Sequence, residues 1–227
     1  MTKHLQRDLE GLERRMLFLA GEVEEAVRRS IRALLDRRIE LAERVIDGDD
    51  EIDRREVELE EECLKVLALH HPVASDLRFI VASLKIENDL ERIADLAANI
   101  AERAVSLSAR SELAVPARIR DMVERCARML RHSIDAFVRG DAELARRICA
   151  EDVEVDRANR LIIQELLEAM HQDPTCIDQA VELISVSKNL ERIGAHATNN
   201  PEDVVYLVEG DIIRHRLKGP PRADLRS

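Results

Sequence analysis

The chain has 227 residues, of which 46 are acidic and 35 basic, so its formal charge is −11. Such a charge repels nucleic-acid phosphates and anionic membrane surfaces. With no tryptophan, three phenylalanines and one tyrosine, the chain also lacks the aromatic side chains on which a single-strand binder stacks bases. Seven glycines and six prolines are few for this length, which is typical of an all-α protein of one large domain or two domains of roughly 100 residues.

Cysteine spacing and hydropathy exclude further classes. The four cysteines are scattered singly, without a C-x-x-C pair, so we expect reduced core thiols rather than a zinc knuckle or a disulfide framework. The first residues, MTKHLQRDLEG, contain no apolar signal segment, and no later stretch approaches the roughly 18 uncharged residues of a membrane span. We therefore expect a cytoplasmic protein that does not insert directly into a membrane.

Six amphipathic segments follow one another along the chain, each with apolar residues at spacings of three and four. The predicted helices cover about 4–36, 38–70, 75–108, 116–140, 141–172 and 175–214. The second helix should stop before Pro72, because the residue that precedes a proline is pushed out of helical geometry. Ser75 is a candidate N-cap for the third helix.

The two halves of the chain repeat each other. Residues 41–53 match 144–156 at an offset of 103, and residues 90–99 match 190–199 at an offset of 100. The repeat predicts an all-α fold made of two tandem three-helix bundles with long antiparallel helices. We assign residues 1–110 to the first bundle, 111–215 to the second, and 216–227 to a disordered tail.

Carboxylates form two rows in the first half. On the third predicted helix Glu87, Glu91 and Asp95 recur every four residues and so share one side, and Glu91 has no Lys or Arg at a spacing of three or four. On the second helix a similar row is formed by Asp49, Asp53, Glu56 and Glu60. Two such rows facing each other would need a cation, and oxygen-only ligands suit Mg²⁺, Ca²⁺, Mn²⁺ or iron. The alternative is a solvated helix flank that only provides solubility.

Several separated motifs resemble the PhoU family of phosphate-transport regulators. They are the repeated N/D-L-E-R-I segment, "PVASDLRFI" before its first copy, "VIDGDDEIDRREVELE" in the first half and "EDVVYLVEG" after the second copy. The resemblance implies a six-helix, two-bundle cytoplasmic protein, often a homodimer, that acts with the phosphate ABC transporter and a membrane sensor histidine kinase. Such proteins repress the phosphate-starvation response.

The resemblance also implies a metal centre, because some family members bind multinuclear iron or zinc through repeated E(D)-x-x-x-D motifs. In this sequence those motifs fall on Asp49 with Asp53 and on Glu91 with Asp95 in the first half. In the second half they fall on Asp152 with Asp156, and on Glu191 alone. The expected cofactor is iron, zinc, manganese or magnesium, with its identity left open.

The second half departs from the family pattern. Ala195 replaces one motif carboxylate, Ser187 stands where the first copy has Glu87, and Lys188 can neutralise Glu191. We therefore expect the second cluster to bind metal weakly, to be differently built or to be absent. His196 could serve as a substitute ligand, although a histidine beside a helix core is more often packed or hydrogen-bonded.

Pro201 falls within the sixth predicted helix, where proline costs about 3 kcal/mol. Because Asn200-Pro201-Glu202-Asp203 is also a favourable helix start, we predict that this helix kinks, or breaks and restarts, at about residue 200.

Two function classes follow. We expect a regulatory adaptor rather than an enzyme, since no nucleophile–base arrangement or Gly-rich phosphate loop stands out. Its partners would be the ATP-binding subunit of the phosphate transporter and the sensor kinase. The alternative is a ferritin-like metal oxidase or storage bundle, which normally needs Glu-x-x-His on two helices. Only Glu168 with His171 fits that motif.

Overall fold

The structure is a computed structural model that describes residues 3–109 and 113–209. Six long α-helices make up almost all of these residues. They are α1 (Lys3–Asp36), α2 (Ile39–His70), α3 (Ala74–Ser108), α4 (Ala117–Arg139), α5 (Ala142–Gln172) and α6 (Ile177–Glu209), with a 3-10 turn at Pro174–Cys176 before α6. The predicted all-α fold is confirmed. None of the helices described combines the length and apolar character of a membrane span. The predicted boundary at 110/111 and the predicted tail lie outside the described residues.

Local chain signals are visible at the end of α2 and at the start of α5. His71, which follows α2, adopts a left-handed conformation with φ of 45°. The carboxylate of Asp141 caps α5 by accepting a hydrogen bond of 2.8 Å from the N–H of Leu144. The prediction of Ser75 as N-cap of α3 is wrong, because Val73 occupies that position and no side chain caps the helix.

The helices form two bundles, α1–α3 and α4–α6, which pack against each other through α3 with α6 and α1 with α4. Their buried apolar residues form one continuous cluster. The internal repeat extends into this core. The hydroxyl of Ser30 donates to the carbonyl of Val27 in α1, and the hydroxyl of Ser133, 103 residues later, donates to that of Leu130 in α4.

Side-chain contacts show that α3 and α6 run antiparallel. Near the start of α3 the guanidinium of Arg78 donates to the carbonyl of Leu207 at 3.1 Å. Near its end Arg103 lies 3.2 Å from the carboxylate of Glu182. The start of each helix is therefore level with the end of the other.

Pro201 does not interrupt α6. The helix runs without a break from Ile177 to Glu209, so the predicted break and restart at about residue 200 is wrong. Asn200 cannot act there as a solvent-facing cap, because its side chain is fully buried. Pro201, Val204 and Val205 are buried as well, and apolar burial of about 1.5–3 kcal/mol for each large side chain offsets the local cost of proline.

Candidate metal centre

The two carboxylate rows of the first half face each other across the α2–α3 contact. The negative charges of Glu91 and Asp95 on α3 raise the pKa of Asp49 on α2, and the charge of Asp95 also raises that of Asp53. One to two turns further along α2, the carboxylates of Glu56 and Glu60 interact with Glu87. The antiparallel pairing of α2 with α3 thus builds the acidic cluster that the spacing predicts.

Glu87 is the most enclosed member of this cluster. Its side chain is only 2% exposed, and its Oε2 atom has no hydrogen-bond partner. Burial, reinforced by the charges of Glu56 and Glu60, raises the pKa of Glu87 to about 8. The same environment raises the pKa of the Cys63 thiol to about 12, chiefly through burial and then through Glu87. A proton or a cation is therefore needed to stabilise this carboxylate at neutral pH.

The outer carboxylates show the same effect more weakly. Burial, followed by repulsion from Asp53, raises the pKa of Asp49 to about 6. Burial also raises the pKa values of Asp53, Glu56 and Glu91, with neighbouring carboxylates adding to each shift. The cluster consequently holds negative charge at a free-energy cost, which is the condition under which cation binding is favourable.

Arg92 partly neutralises the row on α3. Its Nε atom lies 3.3 Å from Glu91 Oε2, and its Nη1 atom lies 3.3 Å from Asp95 Oδ2. Glu91 has no Lys or Arg at a spacing of three or four, and its cationic neighbour is the adjacent residue, Arg92. About half of the Arg92 side chain is exposed, so the ion pair is open to solvent and can exchange with another cation.

The donor chemistry fits a hard or borderline cation, since every member offers carboxylate oxygens and two buried oxygens, Glu87 Oε2 and Glu91 Oε2, have no hydrogen-bond partner. As they stand, no three His, Cys, Asp or Glu side chains among residues 3–109 and 113–209 lie close enough together to hold a metal ion. Metal ligation by the predicted residues stays a prediction.

The second half has a different chemistry at the equivalent place. Ser187, which corresponds to Glu87, donates a 2.8 Å hydrogen bond to Asn159 Oδ1. Ala195 is exposed and contributes no donor. The predicted ligands of this half, which are Asp152, Asp156 and Glu191, are each half-buried on α5 or α6. A neutral hydroxyl–amide pair thus replaces the buried carboxylate.

His196 joins the two bundles instead of adding to the second cluster. Its Nδ1 atom lies 2.7 Å from Asp89 Oδ1 on α3, and Asn199 donates to the same oxygen at 3.1 Å. Sequence reasoning missed this contact because the repeat compares equivalent positions, whereas Asp89 and His196 are not equivalent.

The Glu-x-x-His motif that the ferritin-like alternative requires lies outside the acidic cluster. Glu168 and His171 are both exposed at the end of α5, so they do not face a bundle interior as the ligands of a ferritin-like centre do.

Together the fold and the acidic cluster define a tandem pair of three-helix bundles with a carboxylate-lined contact in the first. The PhoU domain family matches residues 17–104 and 119–204, which include most of both bundles. The chain belongs to the PhoU family.

Relatives of known sequence or structure match the chain over nearly its full length. A Pseudomonas aeruginosa protein named phosphate-specific transport system accessory protein PhoU homolog is 37% identical over 220 residues, which are 95% of this chain and 91% of that protein. The crystal structure of PhoU from Pseudomonas aeruginosa matches with a TM-score of 0.86, over 91% of this chain and 99% of that one, at 37% identity. The crystal structure of the phosphate transport system regulatory protein PhoU from Streptococcus pneumoniae also matches with a TM-score of 0.86, at 27% identity. The match covers 92% of this chain and 98% of the Streptococcus chain.

Proposed function

We propose that this protein is a cytoplasmic accessory regulator of phosphate uptake that represses the phosphate-starvation response. It acts as an adaptor between the ATP-binding subunit of the phosphate ABC transporter and a sensor histidine kinase. The observation that carries the proposal is the family match of both bundles, together with relatives of nearly equal length that are named for phosphate transport.

Deletion of the gene from its host tests this function. The measurement is the output of a phosphate-starvation promoter fused to a reporter, in cells grown with ample phosphate. We expect high output in the deletion strain and low output after complementation with the wild-type gene. Low reporter output in the deletion strain under ample phosphate would contradict the proposed repression.

We also propose that the acidic cluster of the first bundle binds iron, zinc, manganese or magnesium. The ligands would come from Asp49, Asp53 and Glu56 on α2 and from Glu87, Glu91 and Asp95 on α3. A bound cation would supply the positive charge that the cluster lacks, and it would compete with protons for the enclosed carboxylates. Asp152, Asp156 and Glu191 would bind more weakly, since the second half has Asn159, Ser187 and Ala195 in place of three of the six carboxylates.

Matched double variants test the metal proposal by elemental analysis of protein purified without added metal or chelator. We expect Asp53→Asn/Glu91→Gln to lose the bound metal. The control, Asp156→Asn/Glu191→Gln, changes the equivalent positions of the second half and should retain most of it. Equal metal content in the wild type and both variants would place the metal elsewhere.

The family resemblance further supports a homodimer. Light scattering of the purified protein checks this, and we expect a mass of twice 25.8 kDa. A mass of a single chain at micromolar concentration would contradict the homodimer.

A further inference from the structure

Residues 210–227 carry a charge opposite to that of the chain as a whole. They contain five basic and two acidic side chains, whereas the whole chain has 35 basic and 46 acidic residues. We call these residues the basic segment, and they lie outside the described residues. The five basic side chains are those of Arg214, Arg216, Lys218, Arg222 and Arg226.

The acidic cluster of the first bundle lacks positive charge. Within the described residues, Arg92 is the cationic side chain that forms ion pairs with members of the cluster. Two buried oxygens, Glu87 Oε2 and Glu91 Oε2, have no hydrogen-bond partner, and the Glu87 side chain is only 2% exposed. A buried carboxylate oxygen without a partner is costly, so the cluster calls for a further cationic ligand.

The other cationic side chains on this part of α2 and α3 are bound to partners outside the cluster. They pair as Lys65 with Glu62, Lys85 with Asp203, Arg78 with the carbonyl of Leu207, and Arg54 and Arg55 with Glu51. Two of these contacts, those of Arg78 and Lys85, hold α3 against α6. The additional positive charge must therefore come from elsewhere.

The end of α6 brings the basic segment within reach of the acidic cluster. The carbonyl of Leu207 accepts a hydrogen bond of 3.1 Å from Arg78, so α6 ends beside the first turns of α3. From that level, Glu87 lies roughly 14 Å further along α3. An extended chain spans roughly 3.4 Å per residue, so Arg216 and Lys218 can lie up to roughly 24 and 31 Å from the end of α6. Both lengths exceed the distance along α3 and leave enough chain to pass around the helix.

The equivalent place in the second bundle fits the basic segment less well. Asn159, Ser187 and Ala195 stand there in place of three carboxylates, and Ser187 already donates a hydrogen bond of 2.8 Å to Asn159. Ser187 also lies farther from the end of α6, at roughly 30 Å of helix before Leu207. Charge and distance therefore both favour the cluster of the first bundle.

We propose that the basic segment lies along the acidic cluster of the first bundle and supplies positive charge there until a bound metal ion displaces it. The inference rests on the proposed metal centre and specifies how that centre is regulated. A segment joined covalently to its site acts at an effective concentration on the order of millimolar, so a few solvent-exposed ion pairs are enough to hold it. Metal binding then releases the segment, and the metal state is expressed as a change in exposed positive charge.

Zero-length carbodiimide cross-linking of the full-length protein, followed by mass spectrometry, tests where the basic segment lies. The reagent joins a lysine amine to a carboxylate in contact with it, and Lys218 is the one lysine of the segment. With a chelator present, we expect Lys218 to be joined to carboxylates of the acidic cluster. Lys65 and Glu62, which lie 3.1 Å apart outside the cluster, provide the internal control. Saturating zinc or manganese should abolish the Lys218 product and leave the Lys65 product unchanged.

Metal affinity, measured by calorimetry with zinc or manganese alone, tests the competition. We expect Arg216→Gln/Lys218→Gln to bind the metal about fivefold more tightly than the wild type, because two exposed ion pairs no longer compete with it. The charge-preserving variant Arg216→Lys should match the wild type. The second control, Arg120→Gln/Arg147→Gln, removes the same charge from exposed positions of the second bundle and should also match it.

The two measurements separate failure of the inference from failure of the metal centre. If the protein binds metal but Lys218 is joined only to acidic residues outside the cluster, or to none while the Lys65 product forms, the inference is wrong and the metal centre stands. A Lys218 product that persists with saturating metal, or equal affinities of the wild type and Arg216→Gln/Lys218→Gln, would overturn the displacement. If no metal binds to the wild type or any variant while Lys218 is joined to the cluster, the metal centre and the displacement both fail, whereas the position of the segment is confirmed.

Discussion

Replacement of Glu87 by glutamine should stabilise the metal-free protein at alkaline pH. In the fold, burial and the neighbouring carboxylates raise the pKa of Glu87 from 4.5 to about 8. Between pH 4.5 and about pH 8 the folded state therefore keeps a proton on Glu87 that the unfolded state has lost. The free energy of unfolding falls as the pH rises through this range. At about 1.4 kcal/mol for each pKa unit, the loss amounts to about 3 kcal/mol by pH 7 and about 5 kcal/mol above pH 8.

Urea unfolding in the presence of a chelator, at intervals from pH 5 to pH 9, measures this effect. The difference in unfolding free energy between Glu87→Gln and the wild type should be small at pH 5 and grow to several kcal/mol in favour of the variant at pH 8. The control, Glu102→Gln, changes an exposed carboxylate on the same helix and should follow the wild type at every pH. Parallel pH profiles of Glu87→Gln and the wild type would refute the assignment of an enclosed, proton-bearing Glu87.

Three other predictions concern the core, the bundle contact and the second cluster. Phe137→Ala should lower the free energy of unfolding by about 3–5 kcal/mol, because the ring is almost fully buried, and chemical denaturation checks this. His196→Ala should cost about 1–2 kcal/mol by removing the 2.7 Å contact with Asp89, and faster amide hydrogen exchange along α6 should accompany the loss. Ala195→Asp restores the carboxylate four residues after Glu191, so elemental analysis should find more metal in this variant than in the wild type, and an unchanged content would contradict the proposed weakness of the second site.

The six helices and the facing carboxylate rows could be predicted because both follow from short-range periodicity. Apolar residues at spacings of three and four define the buried side of each helix. Once α2 and α3 pair, the rows that include Asp53 and Glu91 must meet. The repeat then predicts two bundles, since the second half carries the same apolar pattern.

Features that depend on packing between the bundles could not be predicted in this way. The contact between Asp89 and His196 joins residues 107 positions apart that occupy different places in the repeat. The predicted break at Pro201 is wrong because the local cost of proline was weighed without the burial of the residues that follow it, whereas the predicted kink stays a prediction. The contact of Arg92 with Glu91 does not follow from spacings of three and four, because a long side chain can reach the adjacent carboxylate as well as one a helical turn away.

X-ray diffraction from crystals of the metal-loaded protein, recorded at the absorption edge of the metal identified by elemental analysis, tests whether the first bundle holds the metal. The anomalous difference map locates the ion without reference to the assumed ligands. We expect a peak between α2 and α3, within coordination distance of carboxylates from both helices. A map with no peak there, or with its only peak between α5 and α6, would contradict the assignment of the metal centre to the first bundle.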